Sequence, residues 1–191
     1  FKNIVFFSIP FLFSYFLQTL YGLADLFISG RFNGADIISA VSIGSQIMHM
    51  LTVVIVGLSM GSTVIIGRAA GAKEEKTVSK AVGNTAAIFI IFSILLTVIL
   101  NLSVNGILKI MSTPSEAVAQ TKLYLSIGFL GIPFITAYNI LSSVYRGIGD
   151  SKSPMYIIAI ACLLNIILDY IFIGLFHMGP IGAALGTTVS Q

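Results

Sequence analysis

What this chain has least of is charge. Asp, Glu, Lys and Arg make up 9% of its residues, against about 25% in ordinary soluble domains. A soluble fold is thereby excluded, because a globule of 191 residues could not cover several long helices that lack polar faces. Cysteine occurs once, at Cys162 inside an apolar segment, so no disulfide forms within one copy and a small packing role is expected. The two histidines, His49 and His177, make no zinc cluster with it. No GxxxxGK[ST] run provides a phosphate loop. The first residues lack the short apolar run and small-residue cleavage site of a signal peptide. The ten Lys and Arg leave no basic patch for a nucleic acid.

Apolar residues fill the space, at 57%. Uncharged stretches run over 3–24, 37–67, 81–108, 123–145, 153–168 and 170–191. A helix crosses the hydrocarbon core with about 20 apolar residues, so the pattern predicts an all-α polytopic membrane bundle with six transmembrane helices. The predicted spans lie at about 4–28, 36–70, 80–104, 113–145 and 153–176, with a sixth from about Ile181. The second is long enough to tilt or protrude. Thr113-Pro114-Ser115-Glu116 predicts a capping box opening the fourth span, and Ser153-Pro154 opens the fifth. A start at Phe1 and a stop at Gln191, inside an apolar segment, point to a piece of a longer membrane protein, truncated within helix six.

Seven Lys and Arg fall at the N-terminal end and in the second-to-third and fourth-to-fifth connectors (Lys2, Arg68, Lys73, Lys76, Lys80, Arg146, Lys152). Three (Arg31, Lys109, Lys122) fall on the other side. This bias predicts a cytoplasmic N-terminus.

Two acids stand inside the spans, Asp25 and Asp169. A carboxylate at bilayer depth costs about 2.5–3.5 kcal/mol on insertion scales, so it ordinarily faces a cavity and handles an ion, a proton or a polar substrate. Asn165 precedes Asp169 by four residues and shares its helical face. Amide oxygen and carboxylate so placed suit a sodium ion, or an acid oriented by the amide. Asp25 supplies a second acid and Thr187 a hydroxyl. The competing reading makes the acids structural groups satisfied near helix ends. Pro10 and Pro133 remove backbone hydrogen bonds at depth, where they either bend a moving helix or shape the bundle. Gly57-x-x-x-Gly61, Gly67-x-x-x-Gly71 and Gly182-x-x-x-Gly186 permit close helix approach. Gly57-Leu58-Ser59-Met60-Gly61 also matches the nucleophile elbow, but that turn requires a strand-turn-helix context and a histidine base. His49 lies ten residues away, about 15 Å along the same helix, so it is expected to be a hydrogen-bonded interior residue, and no enzyme is predicted.

The order of motifs resembles the multidrug and toxic compound extrusion (MATE) family. Leu20-Tyr21-Gly22-Leu23-Ala24-Asp25-Leu26-Phe27-Ile28-Ser29-Gly30 is similar to its first helix. Gly57-Leu58-Ser59-Met60-Gly61 with Gly67-Arg68-Ala69-Ala70-Gly71-Ala72 resembles its second. Tyr145-Arg146-Gly147-Ile148-Gly149-Asp150-Ser151-Lys152-Ser153-Pro154-Met155 resembles its fourth-to-fifth connector. Leu164-Asn165-Ile166-Ile167-Leu168-Asp169-Tyr170-Ile171-Phe172 and Gly179-Pro180-Ile181-Gly182-Ala183-Ala184 complete the series. The resemblance implies the N-terminal lobe of a twelve-helix transporter (residues 1–191), packing against a C-terminal lobe that this chain lacks. It implies export of cationic or amphipathic compounds across the cytoplasmic membrane, driven by inward H⁺ or Na⁺ and without another cofactor. The cation site it implies comprises Asp25, Asn165, Asp169 and Thr187, with Asn139 the nearest match to a helix-four Asn and Pro10 to a bending proline. Tyr170 departs from the family, many of whose members carry Pro there, so helix geometry after Asp169 is expected to differ. The rival within the superfamily is a flippase for lipid-linked oligosaccharides, which requires a cavity rich in Arg and Lys for pyrophosphate.

Overall fold

The computed structural model describes residues 2–191, with side chains from Val5 onward, so the side chain of Lys2 in the charge tally lies outside the described ones. Among the described residues every regular element is helical: α1 (Lys2–Phe32), α2 (Ala35–Gly71), α3 (Glu75–Ile110), α4 (Val118–Leu130), α5 (Ile132–Gly147), α6 (Lys152–Asp169), a π-helical segment (Tyr170–Leu175) and α7 (Gly179–Ser190). Four helices are long and apolar enough to cross a membrane, five when α4 and α5 are taken as one bent span. The sixth predicted span appears as α7, which opens at Gly179 and has 12 residues, about 18 Å.

Lipid has no water to satisfy a backbone, so each break needs a local remedy. The break between α4 and α5 bends the chain by 45° at Gly131. Pro133 has no N–H for the Phe129 carbonyl four residues earlier. Thr97 on α3 supplies the missing donor, its Oγ1 lying 3.2 Å from the Phe129 oxygen. The bend predicted from Pro133 is therefore held from a neighbouring helix. Pro10, by contrast, sits inside a continuous α1, where the Ser14 hydroxyl bonds the Pro10 carbonyl at 2.9 Å.

Two predicted helix starts differ in detail. The capping box at Thr113 does not form: the amides of Ala117 and Val118 bond the Pro114 carbonyl, and α4 opens at Val118. Thr113 is instead drawn into the end of α3, its amide bonding the Leu108 carbonyl after Ser112 adopts φ 49°. At α6 the start predicted at Ser153-Pro154 is capped by Asp150, whose Oδ1 accepts the amides of Lys152 and Ser153 at 2.9 and 3.1 Å. Those bonds, led by the Ser153 hydroxyl on the same carboxylate, hold Asp150 below the usual carboxylate range.

Helix α1 lies against α6 and α2, α2 against α5 and α4, and α7 closes on α4 and α6. Side chains such as Val41, Leu125, Phe129, Ile132 and Ile173 are fully buried among them. In lipid the gain from this contact is close packing, since acyl chains are as apolar as the core. Cys162 is buried, as a small packing residue should be. The ends pair up too. Phe6 and Phe7 border the same surface hollow as Gly149 to Lys152, and Gly67 packs on the Gly147 carbonyl. The start of α1, the exit of α2 and the α5–α6 connector thus share one end of the bundle, bringing Arg68, Arg146 and Lys152 together.

Candidate functional site

Asp25 sits on α1 four turns after Pro10, and its side chain is 1% exposed. On α6, Asn165 and Asp169 are 1% and 0% exposed. Burial this complete shows that the acids are not solvated helix ends. Asp169 is the last α-helical residue before the π-helical segment, which opens at Tyr170. π-helical turns are rare and often border functional sites.

The four residues singled out by sequence come together from three helices. The Thr187 hydroxyl on α7 lies 3.0 Å from Asp25 Oδ2 and 3.1 Å from the Ala183 carbonyl of its own helix. Asp169 and Asn165 also close around the Asp25 carboxyl. Yet Asp25 Oδ1, both Asp169 oxygens and both polar atoms of Asn165 are buried without a hydrogen-bond partner among the described residues. Each buried, unsatisfied polar atom costs about 1–3 kcal/mol, and more when charged. Five such atoms in one place make up an arrangement that suits a small cation or a proton better than an apo protein core.

Glycine makes this convergence possible. A Cβ on Gly186 of α7 would overlap Asp169 Oδ1 and stand 3.2 Å from its Cγ. One turn earlier, a Cβ on Gly182 would stand 3.1 Å from Phe172. Of the three small-residue pairs seen in the sequence, Gly182/Gly186 thus does site work, whereas Gly57 and Gly61 meet no neighbour within 4 Å.

Asp25 and Thr187 open onto a cavity of about 70 Å³, roughly two waters' share of liquid volume. Its wall holds residues that the sequence reading did not select: Gln18 and Tyr21 from α1, Ser45, Met48, His49 and Thr52 from α2, Tyr124 from α4. Gln18, Tyr21 and Asp25 follow each other at helical spacing, a signal that was available. Tyr124 carried none, because its place depends on α4 crossing α2, where its ring lies against Gly44. Asn139 is 2% exposed and its amide bonds the Ile135 carbonyl at 2.8 Å. It borders a separate, smaller cavity with Ser14, Tyr138 and Arg146, and Gln18 lies on the wall of both.

His49 is a correction. Instead of a hydrogen-bonded interior residue it is exposed, on the open side of the Asp25 cavity. The polar face that α2 turns to the cavity is the physical reason, since Ser45, His49 and Thr52 recur there at helical spacing. Ser59, in the apparent elbow motif, gives its hydroxyl to the Val56 carbonyl at 2.8 Å within continuous α2.

The family model MatE matches residues 10–171, including Asp25, Asn165 and Asp169. The chain belongs to the MatE family. Its relatives include the probable multidrug resistance proteins YoeA and YpnP of Bacillus subtilis strain 168, at 31% and 32% identity. Those matches cover 99% and 100% of this chain and 42% and 43% of the relatives. A crystal structure of MATE in the bent conformation superposes with a TM-score of 0.91 at 27% identity, over 99% of this chain and 42% of that one. The chain spans about two fifths of the length of the relatives it matches and corresponds to an all-helical half of a transporter. Members of the family are multi-pass membrane transporters, and this MatE chain shares their helical frame.

Proposed function

We propose that this chain is the N-terminal lobe of a cation-coupled antiporter that exports cationic or amphipathic compounds across the cytoplasmic membrane. Its N-terminus lies in the cytoplasm, beside the end where Arg68, Arg146 and Lys152 gather, and its open face packs against a C-terminal lobe. The observation that carries this reading is the junction of Asp25, Asn165, Asp169 and Thr187, whose buried polar atoms lack partners. Relatives named for multidrug resistance support the substrate class.

Two coupling ions suit the junction. Asp25 Oδ1, Asn165 Oδ1 and the two Asp169 oxygens are hard oxygen donors, the kind that hold sodium or another hard cation. A proton suits it for a different reason. The Thr187 hydroxyl has one hydrogen and two acceptors, Asp25 and the Ala183 carbonyl. Both bonds are complete only when Asp25 itself carries a proton and donates it to Thr187. Two ionised carboxylates sharing one buried site repel each other. Taking up either ion relieves that repulsion and removes negative charge from the cavity. A cationic load is then held less tightly, and this opposition is the thermodynamic core of exchange.

A flippase for lipid-linked pyrophosphates is the weaker reading, because among the described residues no Arg or Lys lines the Asp25 cavity. Arg146 stands in the neighbouring cavity with its guanidinium over the Phe11 ring, 5.0 Å from the centroid. The test uses the full-length transporter in proteoliposomes with an inward Na⁺ or H⁺ gradient imposed alone. Asp169→Asn is expected to abolish gradient-driven export while insertion stays intact, since losing a charge lowers the insertion cost. Normal export by a well-inserted Asp169→Asn protein refutes the site.

A further inference from the structure

The Asp25 cavity holds about 70 Å³, whereas pockets for drug-sized molecules run to about 300–1,000 Å³. An exported molecule held by this acid therefore has to rest on the open side of the cavity, with at most one group reaching in. Among the lining residues only one side chain is exposed at that opening, and it is His49. Its neighbours on the same face of α2 are otherwise engaged. The Ser45 hydroxyl bonds the Ser42 carbonyl at 3.1 Å, and the Thr52 hydroxyl bonds the Met48 carbonyl at 2.9 Å. Met48 is turned inward, where it packs against Gly128. The imidazole of His49 has no such bond among the described residues, and the most apolar 18-residue stretch of its helix has a mean hydropathy of 2.1. A polar ring in so apolar a helix has reason to face a load rather than acyl chains.

We propose that His49 is a substrate-contacting residue that sets how much positive charge the mouth of the cavity accepts. Neutral, the ring offers a hydrogen-bond acceptor and a flat surface to an organic cation whose charge is turned towards Asp25. Protonated, it places a like charge beside that cation and repels it. The other titratable groups facing this space are Asp25 and Tyr21 from α1 and Tyr124 from α4, with Asp169 of α6 behind Asp25. None of them becomes a cation, so among the described residues lining this cavity His49 is the group that can turn the mouth positive. The inference rests on the transport reading above but adds a separate determinant, on another helix from the carboxylates.

The experiment is equilibrium binding of ethidium, a planar organic cation, to the full-length transporter in lipid nanodiscs. Wild type, His49→Gln, His49→Lys and Asp25→Asn are compared at pH 8 and pH 6, a span in which imidazoles ordinarily change charge. At pH 8 His49→Lys is expected to weaken ethidium binding by about tenfold or more, and His49→Gln to bind within about threefold of wild type. From pH 8 to pH 6 wild type should lose more affinity than His49→Gln, whose remaining loss belongs to the carboxylates. Unchanged binding by folded His49→Lys, or the same pH profile in wild type and His49→Gln, overturns the proposal. The second comparison decides alone if the lysine variant fails to fold. Wild-type affinity in Asp25→Asn overturns the cation-site reading and leaves the His49 comparisons to stand or fall separately. Absence of ethidium binding by wild type overturns both.

Discussion

Gly186→Ala tests whether the site is built by helix approach rather than by the carboxylates alone. The added methyl falls on Asp169 Oδ1 and within 3.2 Å of Cγ. Asp169 is fully buried, and its backbone amide stands only 3.5 Å from the same point, so the side chain has little room to retreat. Overpacking of this kind costs about 1–3 kcal/mol. Against it stands the gain of Ala over Gly within a helix, about 0.8–1.0 kcal/mol. The net expectation is a destabilisation of roughly 0–2 kcal/mol, the difference of those two ranges. In an Asp169→Ala background the obstructing oxygens are gone. Only the helix term remains, and Gly186→Ala becomes stabilising by up to about 1 kcal/mol. The assay is the thermal unfolding midpoint of the full-length transporter for all four members of the cycle, in one detergent. A midpoint that falls in the wild-type background and rises in the Asp169→Ala background is the expected result. Equal shifts in both would show that the methyl is accommodated elsewhere and that Gly186 does not shape the site.

Three further outcomes follow from the same geometry. Pro10→Ala restores a donor to α1 and is expected to impair transport more than equilibrium binding of a fluorescent cation; unchanged transport would leave the proline a shaping role only. Thr97→Val leaves the Phe129 carbonyl without its donor and should lower stability by about 1–3 kcal/mol. Adding Pro133→Ala supplies an N–H and should recover most of that loss in thermal unfolding, whereas no recovery would refute the account of the bend. Asp150 is held below the usual carboxylate range by Ser153 and Lys152, so its cap stabilises α6 above the ordinary carboxylate pKa of about 3.9 and is lost as pH falls through the lower folded value. Hydrogen exchange at the amides of Lys152 and Ser153 should then be faster in Asp150→Ala than in wild type at neutral pH, and a difference that persists in strong acid would contradict the assignment.

Composition and spacing determined a good deal on their own. Long uncharged runs allow only membrane helices, because backbone in lipid must satisfy itself and no other element does so within one segment. An acid inside such a run is costly enough to mark a site without any structure. Asn165 and Asp169 lie on one face by helical geometry alone, and the family motifs placed Asp25 and Thr187 beside them. Helix identity, the break near Pro133 and the candidate acids were therefore legible in local pattern. What remained hidden depended on which helices meet. The capping box at Thr113 was a sound local signal, defeated when the end of α3 claimed the Thr113 amide. His49 read as interior because polarity in an apolar helix suggests burial, and only the packing of α2 beside α1 shows it at an opening. Tyr124 carried no signal and the spacing of Gly182 and Gly186 signalled only close helix approach, since a tyrosine or a glycine gains a role at a site only when another helix brings a cavity or a carboxylate to it. Local sequence sets the backbone and the cost of each polar group, but the partner that offsets that cost lies up to 162 residues away, as Thr187 does from Asp25, and only the tertiary fold decides which partner it is.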